Sequence, residues 1–279
     1  MEIEFSKMHG NGNDFVVFDE FEKVIVSEEE KPEFVKKVCD RRFGVGGDGA
    51  IFVQKSEKAD LKFRYFNSDG SEAEMCGNGI RCFARFSYER GYVDKVFKAE
   101  TLAGIKELVV FPGRHFRVRV DMGFVEFDSN KIPAKESKKE KGVWFSEIEG
   151  FKVYAVNTGV PHAVVLVDCN ELDNIKINIA KKIRYNEIFP EGTNVNFACY
   201  DSGVIRVRTY ERGVEDETLS CGTGSVAVAA VLYKLGICGS KVKVITRGGE
   251  LEIEFKEKFK AYMTGKATRV FDGVLKELG

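Results

Sequence analysis

Two stretches of the chain, Leu61-Lys62-Phe63-Arg64-Tyr65-Phe66 and Val204-Ile205-Arg206-Val207-Arg208-Thr209-Tyr210, alternate apolar with polar residues, the pattern of half-buried strands. Each runs into a loop ending in cysteine. From Gly77 to Arg90 and from Gly222 to Leu235, apolar and small residues recur at helical spacing, with Gly91 and Gly236 placed as stops. The second helix holds Val226-Ala227-Val228-Ala229-Ala230-Val231-Leu232, apolar all round, and must be buried. Further strands are expected near 3–8, 15–19, 50–54, 96–101, 105–111, 115–121, 151–157, 163–167, 194–200, 241–246, 250–256 and 268–272. Helices are expected near 31–41 and 175–185, and the charged stretch Lys135 to Lys141 reads as a solvated loop.

The same grammar of strand, loop, helix, strand, strand occurs twice because the sequence repeats. A shift of 145 positions, without a gap, matches Tyr65 with Tyr210, Glu72 with Glu217, Cys76 with Cys221, Gly77 with Gly222, Gly79 with Gly224, and Ala84 with Ala229. It also matches Tyr88 with Tyr233, Gly91 with Gly236, Lys98 with Lys243, Thr101 with Thr246, Gly104 with Gly249 and Glu107 with Glu252. Average composition would supply only about three such identities in a window of this length. The expectation is two related structural units, in each of which strands wrap a buried central helix.

Composition narrows the function classes. Lys+Arg 43 against Asp+Glu 44 gives a net charge of -1 over 279 residues, which supplies no electrostatic reason for a nucleic-acid or anionic-membrane partner. The start Met1-Glu2-Ile3-Glu4 lacks a signal-peptide pattern, and the longest helix-like apolar run is too short to span a bilayer, so a cytoplasmic site is expected. The seven cysteines are odd in number and form no C-x-x-C pair, which favours reduced thiols. Cys39, Cys82, Cys169, Cys199 and Cys238 read as small buried hydrophobes.

The two remaining cysteines carry the chemistry. Cys-Gly-Asn-Gly at 76–79 and Cys-Gly-Thr-Gly at 221–224 each place a thiol at a helix entrance, with glycines that let a ligand approach the backbone. A helix N-terminus favours a thiolate over a thiol, and its free N–H groups form a receptor for a carboxylate. With the two loops opposed, one thiolate can remove a proton from an α-carbon while the opposite thiol returns one to the other face. Inversion at an acidic C–H centre is the reaction this arrangement suits, and it needs the same residue type in both halves. Neither a metal-ligand spacing among the Cys and His residues nor a pyridoxal phosphate signature is apparent, so no metal and no cofactor are expected.

Several blocks then carry a specific resemblance. Lys7-Met8-His9-Gly10-Asn11-Gly12-Asn13-Asp14-Phe15, Phe66-Asn67-Ser68-Asp69-Gly70-Ser71-Glu72, Cys76-Gly77-Asn78-Gly79-Ile80-Arg81-Cys82, Gly192-Thr193-Asn194, Tyr210-Glu211-Arg212-Gly213 and Cys221-Gly222-Thr223-Gly224 together closely resemble the diaminopimelate epimerases, in that family's order. The resemblance implies an α+β fold of two pseudo-symmetric lobes, each a mixed sheet curled into a barrel around a central helix, the first lobe being 1–119 with the segment 264–279 returning to it and the second 120–263. It implies catalytic roles for Cys76 and Cys221, and substrate binding by Asn13, Asn67, Asn194 and Arg212. It implies a carboxylate receptor in the backbone amides of Gly77, Asn78, Gly222 and Thr223, and a pair, His162 and Glu211, flanking the thiols. The implied partner is the small-molecule substrate diaminopimelate, in the route to lysine, with a homodimer as the possible assembly. Two positions depart from the family pattern: Val160, where an asparagine often stands before Pro-His, and Gly49, where some members carry glutamine. Asn157, three residues before Val160, is a candidate to compensate. The competing readings are a proline-racemase-like or phenazine-pathway-like isomerase of the same fold, a thiol-disulfide redox protein, and a binding module without activity.

Overall fold

The computed structural model describes residues 2–128, 130–135 and 138–278. The chain divides into two compact units, Met1–Asp121 with Gly265–Gly279, and Met122–Thr264. The first contains strands β1 (Ile3–Gly10), β2 (Asn13–Glu20), β3 (Gly49–Gln54), β4 (Leu61–Asn67), β5 (Glu72–Ala73), β6 (Val96–Thr101) and β7 (Gly104–Phe111), with helices α1 (Lys31–Cys39) and α2 (Gly77–Glu89). Strand β8 (Arg117–Phe124) carries the chain into the second unit. There follow β9 (Lys138–Glu140), β10 (Val143–Ile148), β11 (Phe151–Asn157), β12 (Pro161–Leu166), α3 (Ile177–Arg184), β13 (Asn194–Asp201), β14 (Val204–Glu211) and β15 (Asp216–Thr218). Helix α4 (Gly222–Leu235), β16 (Lys241–Thr246), β17 (Gly249–Phe255) and β18 (Lys260–Lys266) complete it, and β19 (Thr268–Leu275) then pairs antiparallel with β1.

The architecture is α+β, and the repeat reappears in the strand pairing. In the first unit β1–β2 is antiparallel, β2–β3 parallel, β3–β4 antiparallel, β4–β6 parallel and β6–β7 antiparallel. The series β11–β12–β13–β14–β16–β17 follows the same alternation. Register corrects one detail of the ungapped repeat. Ala99 and Val244 are 145 positions apart and pair with Leu61 and Ile205, which are 144 apart. Thus Tyr65 corresponds to Thr209 and Phe66 to Tyr210, and the identity of Tyr65 with Tyr210 is not a structural equivalence. The difference is absorbed in the turn, since Phe66 pairs with Glu72 whereas Tyr210 reaches one residue farther, to Glu217.

Strand sequences such as Phe15 to Phe18 and Ala163 to Val165 are apolar without alternation because both sheet faces are covered. In the second unit Val164, Ala198 and Val207 face α4, whereas Ala163, Val165 and Phe197 face α3. Helix α4 touches β10, β11, β12, β13, β14, β16 and β17, which accounts for its apolar circumference. It ends at Gly236, whose left-handed φ of 75° lets the cap N–H reach Leu232 and Tyr233 carbonyls. Helix α2 lies against β1, β2, β3, β4 and β7.

Two sequence expectations are overturned. Lys138–Glu140 is a strand on β10, not loop, held by cross-strand pairs Lys138–Glu147 and Lys152–Glu140; residues 136 and 137 lie outside the described residues. Cys169 and Cys199 are not free thiols but a disulfide. The parallel pairing of Leu166 with Ala198 brings the two positions side by side, with Cα atoms 5.1 Å apart, a proximity that 30 residues of separation do not advertise.

Candidate active site

Each of the paired cysteines is the N-cap of its helix. Cys76 has extended backbone angles (φ −135°, ψ 116°) and its Sγ accepts the Gly79 N–H at 3.4 Å; Cys221 (φ −107°, ψ 116°) accepts the Gly224 N–H at the same distance. A sulfur in the capping position satisfies one of the donors left open by the first turn. The thiol is thereby fixed beside the amides that form the helix's anion receptor.

Both loops are delivered by the same device. Arg64 grips Glu72 with Nε and Nη2 at 2.7 and 2.9 Å, and Arg208 grips Glu217 at 2.8 and 2.8 Å. Each glutamate stands four residues before its cysteine, so a planar two-point clamp anchors the strand that leads to each thiol.

In the first unit Asn13 is bound from both ends. Its Nδ2 donates to Asp48 Oδ2 at 2.7 Å, which turns its Oδ1 toward Asn78 Nδ2 at 3.2 Å and the Cys76 thiol at 3.6 Å. Asp48 is held in turn by Arg41 and the Asp14 N–H. Burial opposes the charge on Asp14, yet Arg41 and Lys7 hold its carboxyl down to about 2. Asn67 closes β4 opposite Gly49, its amide donating to Ser71 Oγ at 3.0 Å. Gly49 admits no side chain: a Cβ there would lie 2.4 Å from the Phe66 carbonyl oxygen and 2.6 Å from the Tyr65 ring. The departure at this position therefore has a packing cause.

Arg81, which sequence reasoning passed over, lies fully buried beneath the first thiol loop. Its guanidinium donates to the Gly77 carbonyl (2.9 Å), Asn78 Oδ1 (3.0 Å), Asn11 Oδ1 (3.3 Å) and the Lys266 carbonyl (3.1 Å). Burial lowers its pKa to about 10, so it remains a cation, and a negative Cys76 would favour that charge. The available signal was an arginine one turn into an otherwise core-facing helix.

In the second unit Thr223 Oγ1 lies 3.3 Å from Cys221 Sγ, and the Thr158 hydroxyl holds the Thr223 carbonyl. Asn194 opens β13, where its Oδ1 accepts the Arg212 N–H at 2.8 Å, and Arg212 Nη1 donates to the Glu191 carbonyl. Glu211 ends β14 beside it. The turn bearing Arg212 is shaped by Glu215, another residue without a sequence signal. Although burial works against its charge, Gly213 N–H, Tyr185 and Arg184 hold its carboxyl at about 2. Asn157 Nδ2 donates to the Lys131 carbonyl at 2.7 Å, and its Oδ1 accepts the Gly159 N–H at 2.8 Å.

His162 is fully buried, and burial, followed by the charge of Arg212, pushes its pKa down to about 3. It is neutral near pH 7. Its Nδ1 lies 3.1 Å from Asn196 Nδ2, and its Nε2 is buried without a hydrogen-bond partner among the described residues.

Comparison with known proteins places this geometry. The family model for diaminopimelate epimerase matches residues 5–127 and 154–270. A diaminopimelate epimerase of Archaeoglobus fulgidus is 61% identical, covering 99% of this chain and 97% of its own length, and one of Methanothrix thermoacetophila is 50% identical over 99% and 97%. Among solved structures, a phenazine biosynthesis protein of the PhzF family from Enterococcus faecalis superposes with a TM-score of 0.72 at 15% identity, covering 99% and 100% of the two chains. A hydroxyproline epimerase from Agrobacterium vitis gives 0.65 at 18%, covering 98% and 92%. At those identities the solved structures share the fold alone, while the sequence match extends through both thiol loops and their flanking strands: the chain belongs to the diaminopimelate epimerase family.

Proposed function

We propose that this chain interconverts LL- and meso-diaminopimelate without a cofactor, using Cys76 and Cys221 as the two proton-transfer groups on opposite faces of one α-carbon. The observation that carries the reading is the duplicated cap: two thiols, each accepting the third N–H of its own helix at 3.4 Å. In this reading one sulfur, as thiolate, takes the α-proton, and the other, as thiol, supplies a proton to the opposite face. The α-carboxylate is held by the backbone amides of Gly77, Asn78, Gly222 and Thr223, where helix-end dipoles stabilise the charge that builds as the C–H bond breaks. Asn13, Asn67, Asn194 and Arg212 select the non-reacting amino-acid end, which presents one carboxylate and one ammonium.

His162, neutral and buried, serves as a hydrogen-bond donor beside Cys221, with Glu211 as the flanking carboxylate. The enzyme belongs to lysine biosynthesis, works in the cytoplasm, and takes no nucleic-acid partner; the two units are its lobes and a homodimer is its assembly. No helix among the described residues is long and apolar enough to cross a membrane. Incubation of the protein with LL-diaminopimelate in deuterated water tests the function. The meso isomer should form with one deuteron at the inverted α-carbon. An unchanged, unlabelled substrate contradicts the proposal.

A further inference from the structure

The repeat allows a comparison that a single domain does not. With β4 and β14 offset by 144 and β3 and β13 by 145, Ile51 corresponds to Asn196 and Tyr65 to Thr209. Phe15 pairs with Gly49 as His162 pairs with Asn194, so Phe15 corresponds to His162. The helix starts agree: a Cβ at Gly79 would touch Ile51 and Phe15, and a Cβ at Gly224 would meet Asn196 Oδ1 at 2.3 Å and Thr209 Oγ1 at 3.3 Å. One unit therefore fills this place with Phe15, Ile51 and Tyr65, Phe15 and Tyr65 being in edge-to-face contact. The other fills it with His162, Asn196 and Thr209, all buried.

The fold does not need that polarity, since the apolar set builds the same strands and the same helix start. Burying three polar side chains is unfavourable unless they are hydrogen-bonded, and here they are, in one direction. Thr209 Oγ1 donates to Asn196 Oδ1 at 2.9 Å, and Asn196 Nδ2 donates to the Ala163 carbonyl at 3.0 Å. A carbonyl acceptor admits only the N–H side of the amide, so the group facing His162 Nδ1 at 3.1 Å is also Nδ2, a donor. Nδ1 must then accept, and the ring proton sits on Nε2, the buried atom that has no partner among the described residues. Gly224 completes the link to the thiol: its missing side chain lets the start of α4 rest on Asn196, and its N–H is the donor to Cys221 Sγ.

We propose that Asn196 and Thr209 are positioning residues that lock His162 as a neutral Nε2–H donor for negative charge at the Cys221 helix start, a device built into one unit only. What the donor serves rests on the epimerase reading; which nitrogen carries the proton does not. An unlocked ring could present Nε2 as an acceptor and repel the thiolate or carboxylate that the site must bind.

Long-range nitrogen–proton correlation spectra of the full-length, nitrogen-15-labelled protein at neutral pH read the tautomer directly, because the chain has only three histidines. The parent should show His162 protonated at Nε2 and bare at Nδ1. Asn196→Ile installs the residue that the other unit carries at this place, and Thr209→Val removes the hydroxyl at nearly constant shape. Both should mix the tautomers and lower kcat about tenfold or more with KM changed less than about twofold, while Thr209→Ser should restore parent behaviour. If Asn196→Ile does not fold, the Thr209 pair carries the test. A parent His162 protonated at Nδ1, or a Thr209→Val protein with parent spectrum and parent kcat, overturns the inference. A parent protein with the expected tautomer but no action on diaminopimelate would support the lock and contradict the proposed function, so the two failures are distinguishable.

Discussion

His162 stands where Phe15 stands: each is the first residue of the parallel pairing in its unit, His162 opposite Asn194 and Phe15 opposite Gly49, and each is fully buried. A phenylalanine there is ordinary core. A histidine there has lost its solvent and kept a polar atom unmatched, which is unfavourable for the fold and useful only to a ligand or a thiolate.

The burial of His162 makes a prediction about acid stability. Its folded pKa lies near 3, below the ordinary value of 6.5 expected in the unfolded chain. Above pH 6.5 the ring is neutral in both states and contributes nothing. As pH falls below 6.5 the unfolded chain binds a proton that the folded protein refuses, so stability is lost at about 1.4 kcal/mol per pH unit until pH approaches 3. Between pH 7 and 5 the parent should therefore lose about 2 kcal/mol more than His162→Phe, measured by urea unfolding. His9 and the carboxylates are present in both proteins and cancel. Equal losses would mean that folded His162 accepts the proton.

Arg81→Met should destabilise the protein by about 3 kcal/mol or more, because it removes a buried cation that donates to the Gly77 and Lys266 carbonyls and to the Oδ1 atoms of Asn11 and Asn78. The measurement is again denaturant unfolding, with Arg85→Met as a partly exposed neighbour for comparison. A loss below about 1 kcal/mol would show that these groups find other partners.

Replacing Cys169 and Cys199 together by alanine should cost about 3 to 4 kcal/mol, the loop-closure value for a bridge spanning 30 residues. Activity near 25 °C should persist, since neither residue belongs to the site. Mass spectrometry that finds both thiols free in the purified parent, or an unchanged Tm in the double variant, would contradict the bridge.

Much of this was legible in the sequence because periodicity reports burial. The alternation in Leu61 to Phe66 and the apolar circle of Val226 to Leu232 dictated their elements, and the repeated C-G-x-G marked both helix starts. Strands with neither a clean alternation nor a continuous apolar run were not legible. Val143–Ile148 and Lys260–Lys266 show no clean alternation, Lys138–Glu140 carries only charge, and the two- and three-residue strands β5 and β15 are shorter than any pattern. At the site, the repeated C-G-x-G pointed to the cysteines through their own chemistry, whereas the asparagines were singled out by the family resemblance alone. Asp48, Arg81, Asn196 and Glu215 act through a hydrogen bond to another residue, and such pairings depend on strand register, which a single sequence leaves open.

The central claim is that Cys76 and Cys221 act from opposite faces, and its most direct measurement is α-proton exchange and epimerisation by Cys76→Ala and Cys221→Ala, each offered the two isomers separately in deuterated water. Each variant keeps one thiol and both helix starts. Epimerisation should fall by about 10²- to 10⁴-fold in both, and the double variant should be little worse than either, because the pair acts as a unit. Residual exchange should favour one starting isomer in Cys76→Ala and the other in Cys221→Ala, since a lone thiol can only remove and return a proton on its own face. A single-cysteine variant that epimerises at near the parent rate, or two variants that exchange the same isomer, would contradict the account.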